Sequence, residues 1–237
     1  MRLRPSGNAG PLATTTEAFR NYHTKDAWTW EHMALTRARV VQATSAEFAT
    51  DVSAEIKAVL TRPREPEKLL RDVADMRARL AREKPAKCSW SLKQLRGGPV
   101  DIEFIVQYLI LKHAAEHPAI LASSTLEMIR NLVNAGLLDS HAGERLSAAF
   151  QQWHRLQGML SLTVEDDVTA DKVSKFSDAL KSRLARVGGS EDFEVLERSM
   201  HELAVEVSGL FQRLVEAPAK TLPTTRKHRK EEPVPLL

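Results

Sequence analysis

The chain has 237 residues, 34 Lys and Arg against 31 Asp and Glu, and a single cysteine, Cys88. That length can bury a core without disulfides or structural metals, and one cysteine excludes both a disulfide framework and a cysteine-rich zinc site, in keeping with a reducing, cytoplasmic setting. No stretch approaches the ~18 apolar residues of a transmembrane helix, and no signal peptide is expected. The basic excess is local: residues 218–237 carry Lys220, Arg226, Lys227, Arg229 and Lys230 against Glu231 and Glu232, so the body is neutral.

The opening residues alternate at Arg2-Leu3-Arg4 and then turn at Pro5-Ser6-Gly7, the pattern of a strand end running into a loop. Thr14–Thr16 can cap a short helix through Tyr22. A longer helix is expected over about Asp26–Gln42. Ser45 caps the next, with Phe48, Val52, Ile56 and Val59 at helical spacing, until Pro63 and Pro66 break it. Leu69, Leu70, Val73, Met76 and Leu80 mark a charge-studded helix, and Lys84–Gly98 reads as irregular. Helices follow over Val100–His117, Thr125–Asn134 (with Gly136 at C′), Ser140–Leu162, Thr169–Gly188, and from a Ser190 cap to Val215. Aromatic residues are 5% of the chain, which disfavours a large sheet. Short loops between the later helices point to an antiparallel up-and-down bundle, and the proline- and cation-rich residues 218–237 to a disordered basic tail.

Three segments carry more functional-looking groups than packing needs. Arg2 and Arg4 on one strand edge, with Ser6 and open backbone N–H groups beyond, can face a phosphate through forked guanidinium donors. Trp28 and Trp30 fall on different helix faces beside Glu31 and His32, and Arg37 and Arg39 diverge similarly. Their plainer reading is amphipathic packing with snorkelling arginines. In Gly97-Gly98-Pro99-Val100-Asp101-Ile102-Glu103, the glycines allow a tight turn and Pro99 starts a helix whose N-terminus favours Asp101 and Glu103. Gln107 shares a face with Glu103. An apolar helix that keeps these groups is expected to pair them with arginines elsewhere, Arg37 or Arg39 being candidates.

Together, Arg2–Gly7, Glu17-Ala18-Phe19, the run Ala27–Val41 containing Trp28-Thr29-Trp30-Glu31-His32, and Gly97–Phe104 resemble glutamine synthetase adenylyltransferase in order and spacing. The resemblance continues through His117-Pro118 and Gly136-Leu137-Leu138 and covers about residues 1–215. That family has two related nucleotidyltransferase halves, one adding AMP to glutamine synthetase and one removing it, and the wording here is similar to the C-terminal, AMP-adding half. The resemblance implies transfer of AMP from ATP to a tyrosine of glutamine synthetase, with Mg²⁺ and under control of PII signalling proteins. It implies a mainly α fold: a C-terminal remnant of a nucleotidyltransferase α/β domain at 1–43, a helical linker region at 44–98, and a helical bundle at 99–217. Arg2, Arg4 and Ser6 become candidate nucleotide or phosphate contacts. Trp28, Trp30, Glu31, Arg37, Arg39, Gly97, Gly98, Asp101, Glu103 and Gln107 become site-supporting residues.

The family's metal-binding carboxylates come from a Gly-Ser-x-x-Asp-x-Asp segment and from an Asp directly before the Arg-Leu-Arg-Pro match. Neither has a counterpart in this sequence, so the expectation is an N-terminally truncated piece that does not hold Mg²⁺ or catalyse transfer by itself. The competing expectation is a non-catalytic helical module that binds glutamine synthetase or a PII protein. Two further patterns read as decoys. His113-Ala114-Ala115-Glu116-His117 fits an inverted zinc-protease spacing, but Pro118 follows at once and no third ligand is evident. Thr225–Lys230 is basic but lacks interleaved aromatics, which favours a solvated tail over nucleic-acid binding.

Overall fold

The computed structural model describes residues 13–223. The expected strand end at Arg2–Arg4, Ser6, and the basic string Thr225–Lys230 lie outside them. The described residues are mainly helical and contain no strand. They divide into two compact units, one drawn from Met1–Met76, Val106–Leu138 and Ala219–Leu237, the other from Arg77–Ile105 and Asp139–Pro218.

In the first unit, α1 (Thr16–Lys25) starts where the Thr15 hydroxyl accepts from the Ala18 N–H. It runs three residues past the expected end at Tyr22. Helix α2 (Thr29–Leu35) is much shorter than the expected Asp26–Gln42. Its beginning is set by Glu31, whose carboxylate accepts the Trp28 N–H at 2.8 Å. Its end is set by Thr36, whose hydroxyl donates to the Met33 carbonyl at 2.7 Å. That bond, and the β-branched Val40 and Val41 just beyond, compete with helix in a way that face periodicity does not register. Helix α3 (Ala46–Leu60) begins at the Ser45 cap, as its sequence indicates. Helix α4 (Pro66–Glu83) opens on Pro66, which therefore starts a helix as well as ending the previous segment. Helices α1 and α2 both pack on α3.

Helix α5 (Pro99–His113) is buried along nearly its whole circumference, with Ile102, Ile105, Val106 and Ile110 at 0% exposure. It stops four residues short of the expected His117. The chain there turns into a 3₁₀ segment at Pro118–Ile120 before α6 (Thr125–Asn134). Gly136 takes φ +69 and closes α6, with the Leu137 N–H reaching back to the Leu132 carbonyl at 2.9 Å.

In the second unit, α7 (Ser140–Thr163) follows its Asp139 cap. The single helix expected over Thr169–Gly188 is two: α8 (Ala170–Ser174) and α9 (Asp178–Gly188), separated because the Ser177 hydroxyl caps a new start at Leu180. Helix α10 (Phe193–Phe211) is capped by Asp192 rather than Ser190. A π segment at Gln212–Glu216 leads into α11 (Ala217–Thr221), so helix persists into the start of the expected tail. Helices α7, α9 and α10 pack mutually around Trp153, Leu156, Leu184, Leu196 and Phe211, all fully buried. Each such leucine contributes roughly 1.5–3 kcal/mol of hydrophobic stabilisation.

The irregular stretch before α5 is held in this unit by specific contacts. Trp90, 1% exposed, stacks on Phe193 at 5.1 Å and donates its indole N–H to Glu197 at 2.8 Å. The Ser91 hydroxyl donates to the Val168 carbonyl at 3.1 Å.

Candidate functional site

The second unit contains a charge cluster built on the Gly97-Gly98-Pro99 turn. Gly97 has φ +75, a conformation open to glycine, and a Cβ there would lie 1.8 Å from the Ala204 carbonyl oxygen. The turn thus passes directly against the α10 backbone. Pro99 then begins α5, and the Asp101 carboxylate folds back to accept the Gly97 N–H at 2.5 Å. Asp101 also receives the Arg77 Nε–H from α4 and an Arg96 Nη1–H at 3.2 Å. Arg96 extends the network to Glu216 in the π segment at 2.7 Å and lies over the Phe211 ring at 5.1 Å.

Asp101 is 0% and Arg77 2% exposed. Desolvating both ions is offset only if their bonds are well made, so this cluster acts as a clamp on geometry more than as a source of net stability. Asp101 does pair with arginines from elsewhere, as its sequence setting demands. The partners are Arg77 and Arg96, not the expected Arg37 or Arg39. Arg77 is legible in retrospect: it lies four residues after Val73 and seven after Leu70, on the apolar face of α4.

A second constellation lies in the first unit. The Tyr22 hydroxyl donates to both oxygens of Glu31, at 2.8 and 3.0 Å. Glu31 is thereby shared between the α2 N-terminus and α1. Thr29 donates to Asp72 at 2.6 Å, and Lys68 donates to the same carboxylate oxygen at 2.9 Å. Asp72, three after Leu69 and four before Met76, again occupies an apolar-face position. His23 and His32 face each other at 5.5 Å, with His32 Nε2 3.1 Å from the His23 carbonyl. Burial pushes His23 down to about 4; burial, then Arg64 and His23, push His32 to about 4.

The remaining sequence candidates are spread out. Trp28 is the half-buried residue before α2, and the Trp30 indole N–H is buried with no hydrogen-bond partner among the described residues. Arg37 and Arg39 are exposed, and Gly98 is buried with the turn. On α5, Glu103 is half-buried and Gln107 buried. The structure therefore brings Gly97, Gly98 and Asp101 together, and separately Trp28 and Glu31. Tyr22, Asp72, Arg77 and Arg96 belong to these networks but were not singled out by motif.

Among the described residues, no group of three or more His, Cys, Asp or Glu side chains could hold a metal ion. They do not fit the Mg²⁺ that the family resemblance implies. His113 ends α5 and His117 lies beyond it, ahead of the 3₁₀ segment. No described helix is long and apolar enough to cross a membrane.

Comparison with known proteins agrees with the motifs. The family model described as glutamate-ammonia ligase adenylyltransferase matches residues 1–55, and that described as GlnD PII-uridylyltransferase matches residues 68–215. A bifunctional glutamine synthetase adenylyltransferase/adenylyl-removing enzyme of Bradyrhizobium diazoefficiens is 45% identical over 216 residues, 91% of this chain and 21% of that protein. The enzyme of the same description from Rhodopseudomonas palustris strain HaA2 is 46% identical over 215 residues, 91% of this chain and 21% of its own length. The one from Xanthobacter autotrophicus is 40% identical over 220 residues, 93% of this chain and 22% of its own length. The chain spans about a fifth of the length of these relatives, and it belongs to the glutamine synthetase adenylyltransferase family, a family of nucleotidyltransferases.

Proposed function

We propose that this chain forms part of the AMP-adding half of an enzyme that transfers AMP from ATP to a tyrosine of glutamine synthetase. The observation that carries the reading is the match of residues 1–55 to the adenylyltransferase family, which contains the whole Trp28-Thr29-Trp30-Glu31-His32 string. In this reading residues 1–43 complete a nucleotidyltransferase domain, 44–98 link it to a helical bundle at 99–217 with antiparallel order, and 218–237 form a basic tail. Arg2 and Arg4 meet nucleotide phosphates as forked donors, with Ser6 beside them. Glu31, tied to Tyr22 and to the Trp28 N–H, fixes the angle between α1 and α2 behind that strand end. Asp101, held by Arg77 and Arg96, fixes the start of α5. ATP and Mg²⁺ serve the reaction, and the carboxylates for the metal come from outside residues 13–223. The protein works in the cytoplasm.

A second reading draws on the other family match. Residues 68–215 match a family named for uridylylation of PII, which favours a helical region that engages glutamine synthetase or a PII protein without doing chemistry.

Incubating the 237-residue chain with α-labelled ATP, Mg²⁺ and glutamine synthetase tests the assignment of the metal ligands. No labelled glutamine synthetase is expected. Label on the synthetase would overturn the placement of the carboxylates outside this chain. Sedimentation of the chain with glutamine synthetase or PII addresses the second reading; ATP binding without partner binding would remove it.

A further inference from the structure

A cleft of about 250 Å³ in the first unit is lined by His23, His32, Arg62, Arg64, Glu65 and Lys68, among others. Its cations are unevenly compensated. Arg64 donates to three main-chain carbonyls at the end of α3, those of Val59, Leu60 and Arg62, at 2.9, 3.0 and 2.9 Å. Arg62 donates across the cleft to the Thr24 carbonyl at 3.0 Å. Among the described residues neither guanidinium forms an ion pair with a carboxylate. Lys68 does have one, Asp72, at 2.9 Å. Glu65 is the one acidic side chain in the lining and is exposed.

Two arginines two residues apart, one of them half-buried, repel each other and have lost part of their hydration. The lowering of Arg64 to about 10, by burial and then by Arg62, reports the same field. His32 feels it too, since both arginines act against its protonation. An arginine bound only to carbonyls keeps its full charge, and its unused N–H groups suit an oxyanion.

We propose that this cleft binds a small oxyanion of the phosphate class, held by Arg62 and Arg64 with Lys68 at its edge and the neutral His32 ring as a further hydrogen-bonding wall. This site does not rest on the adenylyl-transfer reading. The phosphate group is either free inorganic phosphate or the phosphate of a nucleotide.

The test is titration of the 237-residue chain with inorganic phosphate, pyrophosphate and AMP at constant ionic strength, following the histidine ring C–H signals by NMR. Constant ionic strength removes general screening as a cause. The expected result is a saturable shift of the His32 and His23 signals, with half-saturation at or below about 5 mM. The His32 pKa should rise on saturation, because a nearby anion favours the imidazolium. Arg62→Gln should weaken binding at least about fivefold, while Arg130→Gln on α6 should leave it unchanged. Tighter binding of AMP than of phosphate would identify a nucleotide as the source, and the reverse would identify free phosphate; either supports the site. Shifts that stay linear in wild-type protein, or equal affinities in the two variants, would overturn it. Lys68→Gln provides an independent arm if Arg62→Gln does not fold, and an affinity unchanged by it would count the same way.

Discussion

Replacing Asp101 by Asn should be among the most destabilising near-isosteric changes in the chain. The substitution leaves the volume and the bond from the Gly97 N–H in place but removes the charge that faces Arg77. Arg77 is 2% exposed, and its Nη2 has no hydrogen-bond partner among the described residues, so Asp101 carries most of its compensation. An arginine left buried without its carboxylate costs about 3–5 kcal/mol. Against a total stability of about 5–15 kcal/mol, that is a large fraction. For a chain of this size it corresponds to a fall in unfolding midpoint of roughly 6–20 °C. Urea titration followed by far-ultraviolet circular dichroism measures it. The exposed pair Arg145–Glu206, whose side chains are 40% and 46% exposed, provides the contrast. Glu206→Gln should cost no more than about 1 kcal/mol. The double change Asp101→Leu with Arg77→Met should cost at least about 2 kcal/mol less than the sum of its parts, since both buried charges then leave together. A cost below about 1 kcal/mol for Asp101→Asn, or additive behaviour of the double change, would refute the clamp.

Two glycines with similar backbone angles should separate on substitution. Gly136→Ala, at φ +69 with open space around it, should cost about 1 kcal/mol, whereas Gly97→Ala adds a collision with the Ala204 carbonyl and should cost at least twice that; equal losses in urea titration would contradict the close approach of the turn to α10. The histidine pair predicts an acid-sensitive first unit. His23 and His32 titrate near 4 when folded against an ordinary value of 6.5, so the unfolded chain takes up protons first. Their contribution is fully present above about pH 6.5 and is lost as pH falls towards 4, by on the order of 3 kcal/mol per ring. Replacing both by Gln should flatten the stability profile between those values, and an unchanged profile would refute the assignment.

Much of the fold is legible in the sequence where a local signal acts alone. Ser45 and Asp139 start α3 and α7, Gly136 ends α6, and the Ala-, Leu- and Glu-rich runs between them need no tertiary context. The failures have a common physical origin. Helix α2 stops at Thr36, and α8 and α9 separate at Ser177, because a side-chain oxygen takes over a backbone group that apolar periodicity counts as helical. The Asp101 network shows a different limit. Sequence requires a cationic partner for an acid in an apolar helix, but it does not rank Arg37 and Arg39 against Arg77 and Arg96. Burial decides that, and the only local mark is an arginine at apolar-face spacing in α4. Tyr22 and Asp72 were passed over for the same reason: each is an ordinary helix residue until α1, α2 and α4 come together.

The central claim, that this segment serves AMP addition, is tested most directly by exchange into a relative. The corresponding fifth of the Bradyrhizobium diazoefficiens enzyme is replaced by residues 1–215, and the hybrid is assayed with glutamine synthetase in both directions by intact-protein mass spectrometry. The account predicts that the hybrid adds one AMP per synthetase subunit and that Arg2→Ala with Arg4→Ala in the hybrid suppresses addition while leaving removal intact. A hybrid that removes AMP normally and adds it unaffected by those two substitutions would contradict it.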